Sequence, residues 1–181
     1  FVHLYINGIY WGLYNPEERP DHAFSASYLG GDKDTYDAIN SGSTTNGDMV
    51  AWNQMIAQAD AAATSLDEYQ RLQGNNPDGN DDPSREDYLD IENYIDYLLL
   101  SFYSGNDDWP NRNWYAARRR GEESEGYQFF AWDSEISMDL SDRTHLRENV
   151  IRDANNQAVG AAEPYGSLRN YEEFQLAFAD R

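Results

Sequence analysis

The sequence contains no cysteine and only one lysine, Lys33, among its 181 residues. The absence of cysteine excludes disulfide scaffolds and thiolate metal sites. Basic residues are also scarce, since 13 of them face 33 acids and the net charge is −20. A nucleic acid or an anionic membrane surface needs a basic face on its partner, so this balance disfavours both. No apolar run approaches the ~18 residues that a membrane span requires.

Acidic residues are abundant in the sequence, and they indicate the salt conditions in which such a protein works. Many acids with almost no lysine are typical of a salt-adapted (halophilic) protein, because salt screens the self-repulsion of the surface. An ordinary acidic secreted domain is the alternative. The chain begins inside an apolar run and stops inside a predicted helix. We therefore expect a single domain over residues 1–181, truncated at both ends.

Hydrophobic periodicity predicts antiparallel hairpins with helices inserted between them, which is an α+β fold. Asn7-Gly8 predicts a tight turn in a hairpin over residues 1–14. Its aromatic side chains are expected to alternate between core and surface, with a sugar-stacking platform as the alternative. The longest helix is predicted to be capped by Ser84 and ended by Gly105. The other predicted elements are a short helix ending at Gly30, a strand over 34–40, helices over 49–59, 65–72 and 170–180, and strands over 113–119 and 127–132.

A group of hard oxygen ligands follows the longest predicted helix. Asp107 and Asp108 lie in the next loop, Asn113 comes five residues after Asp108, and Asp133 ends the following hairpin. Magnesium and manganese prefer such ligands together with phosphate oxygens. Protein kinases use an Asp, an Asn five residues later and a second Asp in this order. Short polar patterns also arise by chance, so an Asx-rich turn with its acids in water remains the alternative.

Four segments carry a resemblance to a known family. They are 4-LYINGIYWGLYNPEERPD-21, 28-YLGGDKDTYD-37, 106-NDDWPNRNWY-115 and 131-AWDSE-135. In this order they resemble the spore coat protein H (CotH) kinase family of secreted or surface-exposed bacterial proteins. The resemblance implies a distant protein-kinase-like fold, with ATP and Mg²⁺ or Mn²⁺ as cofactors. It also implies an extracellular or cell-surface location.

The resemblance further assigns roles to individual residues. It implies that Asp108 is the catalytic-loop acid, that Asn113 and Asp133 hold the metal, and that Glu135 assists them. Glu18 matches an acid that follows the hairpin in the family, in the expected nucleotide site.

The sequence departs from the family at the residue that binds the nucleotide phosphates. Where the family often has a lysine, at the end of the strand 36-YDAIN-40, this chain has Asn40. Lys33 lies in a glycine-acid turn, so Arg19 is the nearest candidate to supply the charge, although arginine differs from lysine in shape.

These observations predict an ATP-dependent kinase that phosphorylates Ser or Thr of a surface or coat protein. The missing lysine leaves a non-catalytic (pseudokinase) binding or scaffold module as an alternative. A metal-dependent hydrolase that uses the same acids is a third hypothesis.

Overall fold

The computed structural model describes residues 1–106, 108–135, 137–138 and 157–181. These residues form six α-helices and two antiparallel sheets, which confirms the predicted α+β class. The strands are β1 (Val2–Ile6), β2 (Ile9–Tyr14), β3 (Tyr36–Asn40), β4 (Ser43–Asn46), β5 (Trp114–Arg119) and β6 (Gln128–Ala131). The helices are α1 (His22–Leu29), α2 (Val50–Ala62), α3 (Leu66–Leu72), α4 (Ile91–Ser104), α5 (Glu163–Leu168) and α6 (Glu172–Asp180).

Strands β1 and β2 form the predicted hairpin. Asn7 and Gly8 both have positive φ, 52° and 81°, which is the backbone that a two-residue turn of this kind needs. The aromatic side chains do not alternate between core and surface, because Tyr10, Trp11 and Tyr14 are all exposed. That part of the prediction is wrong: β1 and β2 form a two-stranded sheet of their own, apart from the four-stranded sheet.

The larger sheet has the strand order β4-β3-β5-β6 and positions the candidate site. Asn40, at the end of β3, pairs with Tyr115 near the start of β5, and Trp114 pairs with Ala131 at the end of β6. Because these pairs are antiparallel, the end of β3, the start of β5 and the end of β6 lie at one edge of the sheet. Residues just before β5 and just after β6 therefore meet there.

Helix α4 packs against β6 and contributes Ile91, Tyr94, Ile95, Tyr97 and Leu98 to the buried core. It begins at Ile91 and not near Ser84 as the sequence predicted. Leu89 pairs with Tyr127 in an isolated bridge, so the chain is extended at that point. The Asp90 carboxylate accepts from the Asn93 N–H at 2.9 Å and caps the helix. Gly105 ends the helix in the left-handed conformation, as predicted.

The short strand β4 and the helix α5 were not predicted. The segment that contains β4 is polar and resembles a loop, but Ser41 and Gly42 have positive φ and turn the chain back beside β3. Its pairing with β3 therefore comes from tertiary context and not from an apolar pattern.

Aspartate side chains begin several of the helices. Asp21 accepts from two backbone N–H groups at the start of α1, and Asp90 accepts from one backbone N–H group at the start of α4. Asp48 accepts from the Val50 N–H, the first of α2, at 2.8 Å, and Asp32 accepts from the Asp34 N–H at 2.9 Å at the start of a short 3₁₀ helix, Lys33–Thr35. Each bond satisfies a donor that has no partner within its own helix.

No helix in the described part of the chain is both long enough and apolar enough to cross a membrane.

Candidate functional site

The loop between α4 and β5 is anchored in the core by Trp109. This side chain is 5% exposed, and its indole N–H donates to the Tyr97 hydroxyl at 2.6 Å. The Phe102 ring meets the indole edge-on at 5.5 Å. A buried tryptophan with its N–H satisfied is a strong local anchor. The loop that carries Asp108 is therefore held against α4.

Asp108 is half-buried at the start of the turn before β5. Its N–H donates to Asn106 Oδ1 at 3.1 Å, and its carbonyl accepts from the Arg112 N–H at 3.0 Å. The first bond forms an Asx turn, so the Asx-rich turn that we gave as the alternative for this loop is present in its backbone. Both bonds use the backbone of Asp108. Asp107 lies outside the described residues.

Asn113 and Asp133 meet at the edge of the sheet. Asn113 Nδ2 donates to the backbone carbonyl of Asp133 at 2.7 Å, and the Asn113 carbonyl accepts from the Trp132 N–H at 3.2 Å. Both residues have positive φ, 61° and 51°. Asn and Asp tolerate this left-handed region better than most residues do. With Nδ2 engaged, Oδ1 is the atom of the Asn113 amide that a cation would meet.

A cavity of about 830 Å³ opens beside β6 and α4. Glu18, Asp133 and Glu135 line it together, so the structure brings these three predicted residues to one cavity. Its apolar wall comes from α1, α4 and β6. The remaining lining residues are Glu17, Pro20, Phe24, Asn93, Asp96, Tyr97, Leu100, Phe129, Phe130, Ala131, Trp132 and Ser134.

Asn113 lines a second, smaller cavity of about 360 Å³. Asn106 and Ser134 line it as well, and Ser134 also belongs to the lining of the larger cavity. The two cavities are therefore neighbours that meet at the segment after β6. Asp108 lies outside the lining of both.

The residues present fit a metal ion that is shared with a ligand and not one enclosed by protein. In the described part of the chain, no three acidic or histidine side chains are grouped closely enough to hold a metal ion alone. Magnesium usually takes one or two carboxylates, several waters and substrate phosphates. Asp133 with the neighbouring Asn113 amide, and Glu135 in the same cavity as Asp133, match that smaller ligand set.

Arg19 does not line the larger cavity, although its chain neighbours Glu18 and Pro20 do, and its charge acts on the partner of Asn40. Asn40 Nδ2 donates to the Tyr115 hydroxyl at 2.9 Å. Burial raises the pKa of that hydroxyl, and the positive charge of Arg19 lowers it in part. The guanidinium therefore acts electrostatically on the side chain that Asn40 contacts.

Glu18, the residue before Arg19, is bound to helix α1. Its carboxylate accepts from the Tyr28 hydroxyl at 2.5 Å, and this hydrogen bond raises the pKa of Tyr28. Glu18 thus connects the cavity with α1.

Several residues around the site were not singled out in the sequence. Trp132 meets Tyr115 edge-on at 5.7 Å, and Asn106 is buried beneath the Asp108 loop. Asn106 and Trp132 are next to predicted residues along the chain, and that proximity is a usable signal. Phe24 and Asp96 come from α1 and α4, and only the tertiary structure brings them to the cavity.

A family model described as CotH kinase protein matches residues 1–177 of the 181-residue chain. Comparisons with curated proteins and with solved structures found no match. The family match covers the hairpin, the four-stranded sheet and the loop that carries Asp108. The chain therefore belongs to the CotH kinase family, whose fold is kinase-like.

Proposed function

We propose that this chain is an ATP- and divalent-metal-dependent protein kinase that phosphorylates Ser or Thr of a surface or coat protein. Membership of the CotH kinase family gives it a kinase-like function. The observation that carries the finer proposal is the 2.7 Å bond from Asn113 Nδ2 to the Asp133 carbonyl. It holds two of the predicted metal ligands at the same edge of the sheet, one loop away from Asp108.

Asp108 accepts the proton of the substrate hydroxyl in this proposal. The hydroxyl oxygen attacks the γ-phosphorus of ATP, the bond from that phosphorus to the β–γ bridging oxygen breaks, and ADP leaves with the electron pair. The hydroxyl proton passes to the Asp108 carboxylate. This residue suits the task because its loop is fixed by buried Trp109 and its backbone is hydrogen-bonded on both sides.

Asn113 and Asp133, with help from Glu135, would hold the divalent cation. When bound, the cation neutralises charge on the phosphates of the nucleotide. The lining of the cavity supports a need for a bound cation. In the part of the chain that the structure describes, it includes five acids and no Lys, Arg or His. A triphosphate would be repelled there without cations. The cavity volume of about 830 Å³ lies in the range of small-ligand sites.

Magnesium-dependent stabilisation by ATP is the first expected result. A ligand that binds only the folded state raises the melting temperature, by about 5–10 °C for a chain of this size at 100 times its Kd. Differential scanning fluorimetry measures the shift. ATP with EDTA in place of magnesium serves as the control and should give little or no shift. Equal shifts with and without magnesium would contradict the metal dependence.

Arg19 is expected to contribute to nucleotide binding. Arg19→Ala should raise the KM for ATP roughly 10-fold or more, since a hydrogen bond to a charged group contributes about 1.5–3 kcal/mol. The kcat should change much less, and Arg19→Lys should restore part of the loss because the charge returns. Steady-state assays over a range of ATP concentrations measure both constants.

Arg71→Ala is a matched control for Arg19, because Arg71 is an exposed arginine on α3. It should leave the KM for ATP unchanged. If Arg19→Ala behaves in the same way as Arg71→Ala, then Arg19 does not replace the missing lysine.

A non-catalytic binding module is the second candidate, because the hairpin exposes aromatic side chains such as Trp11, at 61% exposure. Aromatic rings of this kind stack on sugars. This candidate is favoured if oligosaccharides raise the melting temperature and ATP with magnesium does not. The metal-dependent hydrolase would instead release phosphate or sugar to water and give no labelled protein.

A further inference from the structure

We propose that Asn106 is a positioning residue that couples the Asp108 loop to the segment carrying Asp133. The inference rests on the proposed function, because it assigns a role to Asn106 within the same site. It requires that one buried side chain contacts both segments and that its loss separates them.

Asn106 contacts both segments through its amide. Its Oδ1 accepts from the Asp108 N–H at 3.1 Å, and its Nδ2 donates to the Ser134 hydroxyl at 3.3 Å. Only 6% of the residue is exposed, so water has little access to replace these bonds. A buried amide is costly without partners, and here both of its ends are engaged.

The Asp108 loop is thereby fastened at both ends to the same short segment. Asn106, at the start of the loop, contacts Ser134, and Asn113, at its end, contacts the carbonyl of Asp133. Asp108 lies between these two attachments. A further backbone bond joins the Met138 N–H to the Ser104 carbonyl at 2.7 Å, and no side-chain substitution removes it directly.

This arrangement fixes the distance between the proposed base and the proposed metal ligand. Outer residues that orient a ligand typically affect metal affinity or activity by about 10- to 100-fold when they are removed. A side chain that merely fills space beneath the loop would affect the melting temperature and not the metal affinity. Metal affinity therefore separates positioning from packing.

The experiment compares Asn106→Ala, Ser134→Ala and the double variant with the unaltered chain. Asn111→Ala is the matched control, since Asn111 is an exposed asparagine of the same loop. Two quantities are measured: the Kd for Mn²⁺ by electron paramagnetic resonance, and the kcat for transfer of labelled phosphate from ATP. Ser134 is exposed, so Ser134→Ala keeps the test valid if Asn106→Ala fails to fold.

Asn106→Ala should raise the Kd for Mn²⁺ and lower the kcat, each by roughly 10-fold or more, and Asn111→Ala should change neither. Ser134→Ala should shift both quantities in the same direction by a smaller factor. The double variant should be no worse than Asn106→Ala, because the two side chains share one bond.

Each remaining outcome has a distinct meaning. If Asn106→Ala and Ser134→Ala both bind Mn²⁺ and transfer phosphate like the unaltered chain, the inference is overturned and the proposed kinase stands. If the unaltered chain binds Mn²⁺ and transfers no phosphate, the kinase proposal is overturned, and weaker Mn²⁺ binding by Asn106→Ala still supports the positioning role. If the unaltered chain binds no Mn²⁺ with or without ATP, both proposals are overturned.

Discussion

Asp108→Ala is expected to abolish phosphate transfer while the chain remains folded. Removal of a positioned general base typically costs 10²–10⁴-fold in rate, so we expect a loss of at least about 100-fold in kcat. The melting temperature should change little, because both hydrogen bonds described for Asp108 use its backbone, which alanine retains. Incorporation of labelled phosphate into an acceptor protein, together with a thermal melt, measures both effects.

Two further variants sharpen the test of Asp108. Asp108→Asn keeps the shape of the side chain and removes its ability to accept the proton, so it should be nearly as inactive as the alanine variant. Asp78→Ala removes an exposed acid from the loop between α3 and α4 and should keep full activity. If Asp108→Asn incorporates phosphate at the unaltered rate, Asp108 is not the base.

Asp133→Asn is expected to remove the magnesium-dependent response to ATP. The substitution deletes one negative charge from the proposed metal site. Asparagine is chosen because Asp133 has a φ of 51°, which asparagine tolerates better than alanine does. A bound metal ion contributes several kcal/mol to phosphoryl transfer, so we expect a loss of about 100-fold or more in kcat. The thermal shift with ATP and magnesium should shrink to the value seen with EDTA.

The matched variant for Asp133 is Glu135→Gln, which removes a charge from the same cavity. Because Glu135 is proposed only to assist, Glu135→Gln should lower the kcat by a smaller factor than Asp133→Asn does. An Asp133→Asn variant that retains both the thermal shift and the kcat would contradict the metal assignment. If Glu135→Gln lowers the kcat more than Asp133→Asn does, Glu135 is the principal metal ligand.

Much of the fold could be predicted because local signals agree with the tertiary structure. The Asn7-Gly8 turn and the Gly105 helix end both depend on backbone conformations that few residues accept, so the sequence marks them directly. The start of α4 was misplaced because Ser84 also has the chemistry of a cap. The competing extended structure at Leu89 depends on pairing with Tyr127, which is distant in sequence. Strand β4 was missed for a different reason, because its polar sequence resembles a loop although it pairs with the strand just before it.

The candidate site was predictable where its residues follow one another along the chain. Asn113 and Asp133 flank the hairpin of β5 and β6, so antiparallel pairing alone brings them together. The position of Glu18 in the same cavity as Asp133 came from family resemblance and not from any pattern in this sequence. The buried link through Asn106 required knowledge of which side chains face each other across the loop.

The aspartate caps set one group of acids apart from the acids of the proposed site and from those that only face solvent. Acids that only face solvent, such as Asp78, set the charge of the outer surface, and a neutral polar residue can replace them. The caps, which include Asp21 and Asp90, supply the oxygen that starts a helix. A variant with less surface charge thus calls for asparagine at these two positions, since asparagine caps a helix about as well and carries no charge. Lysine would serve only at the solvent-facing positions.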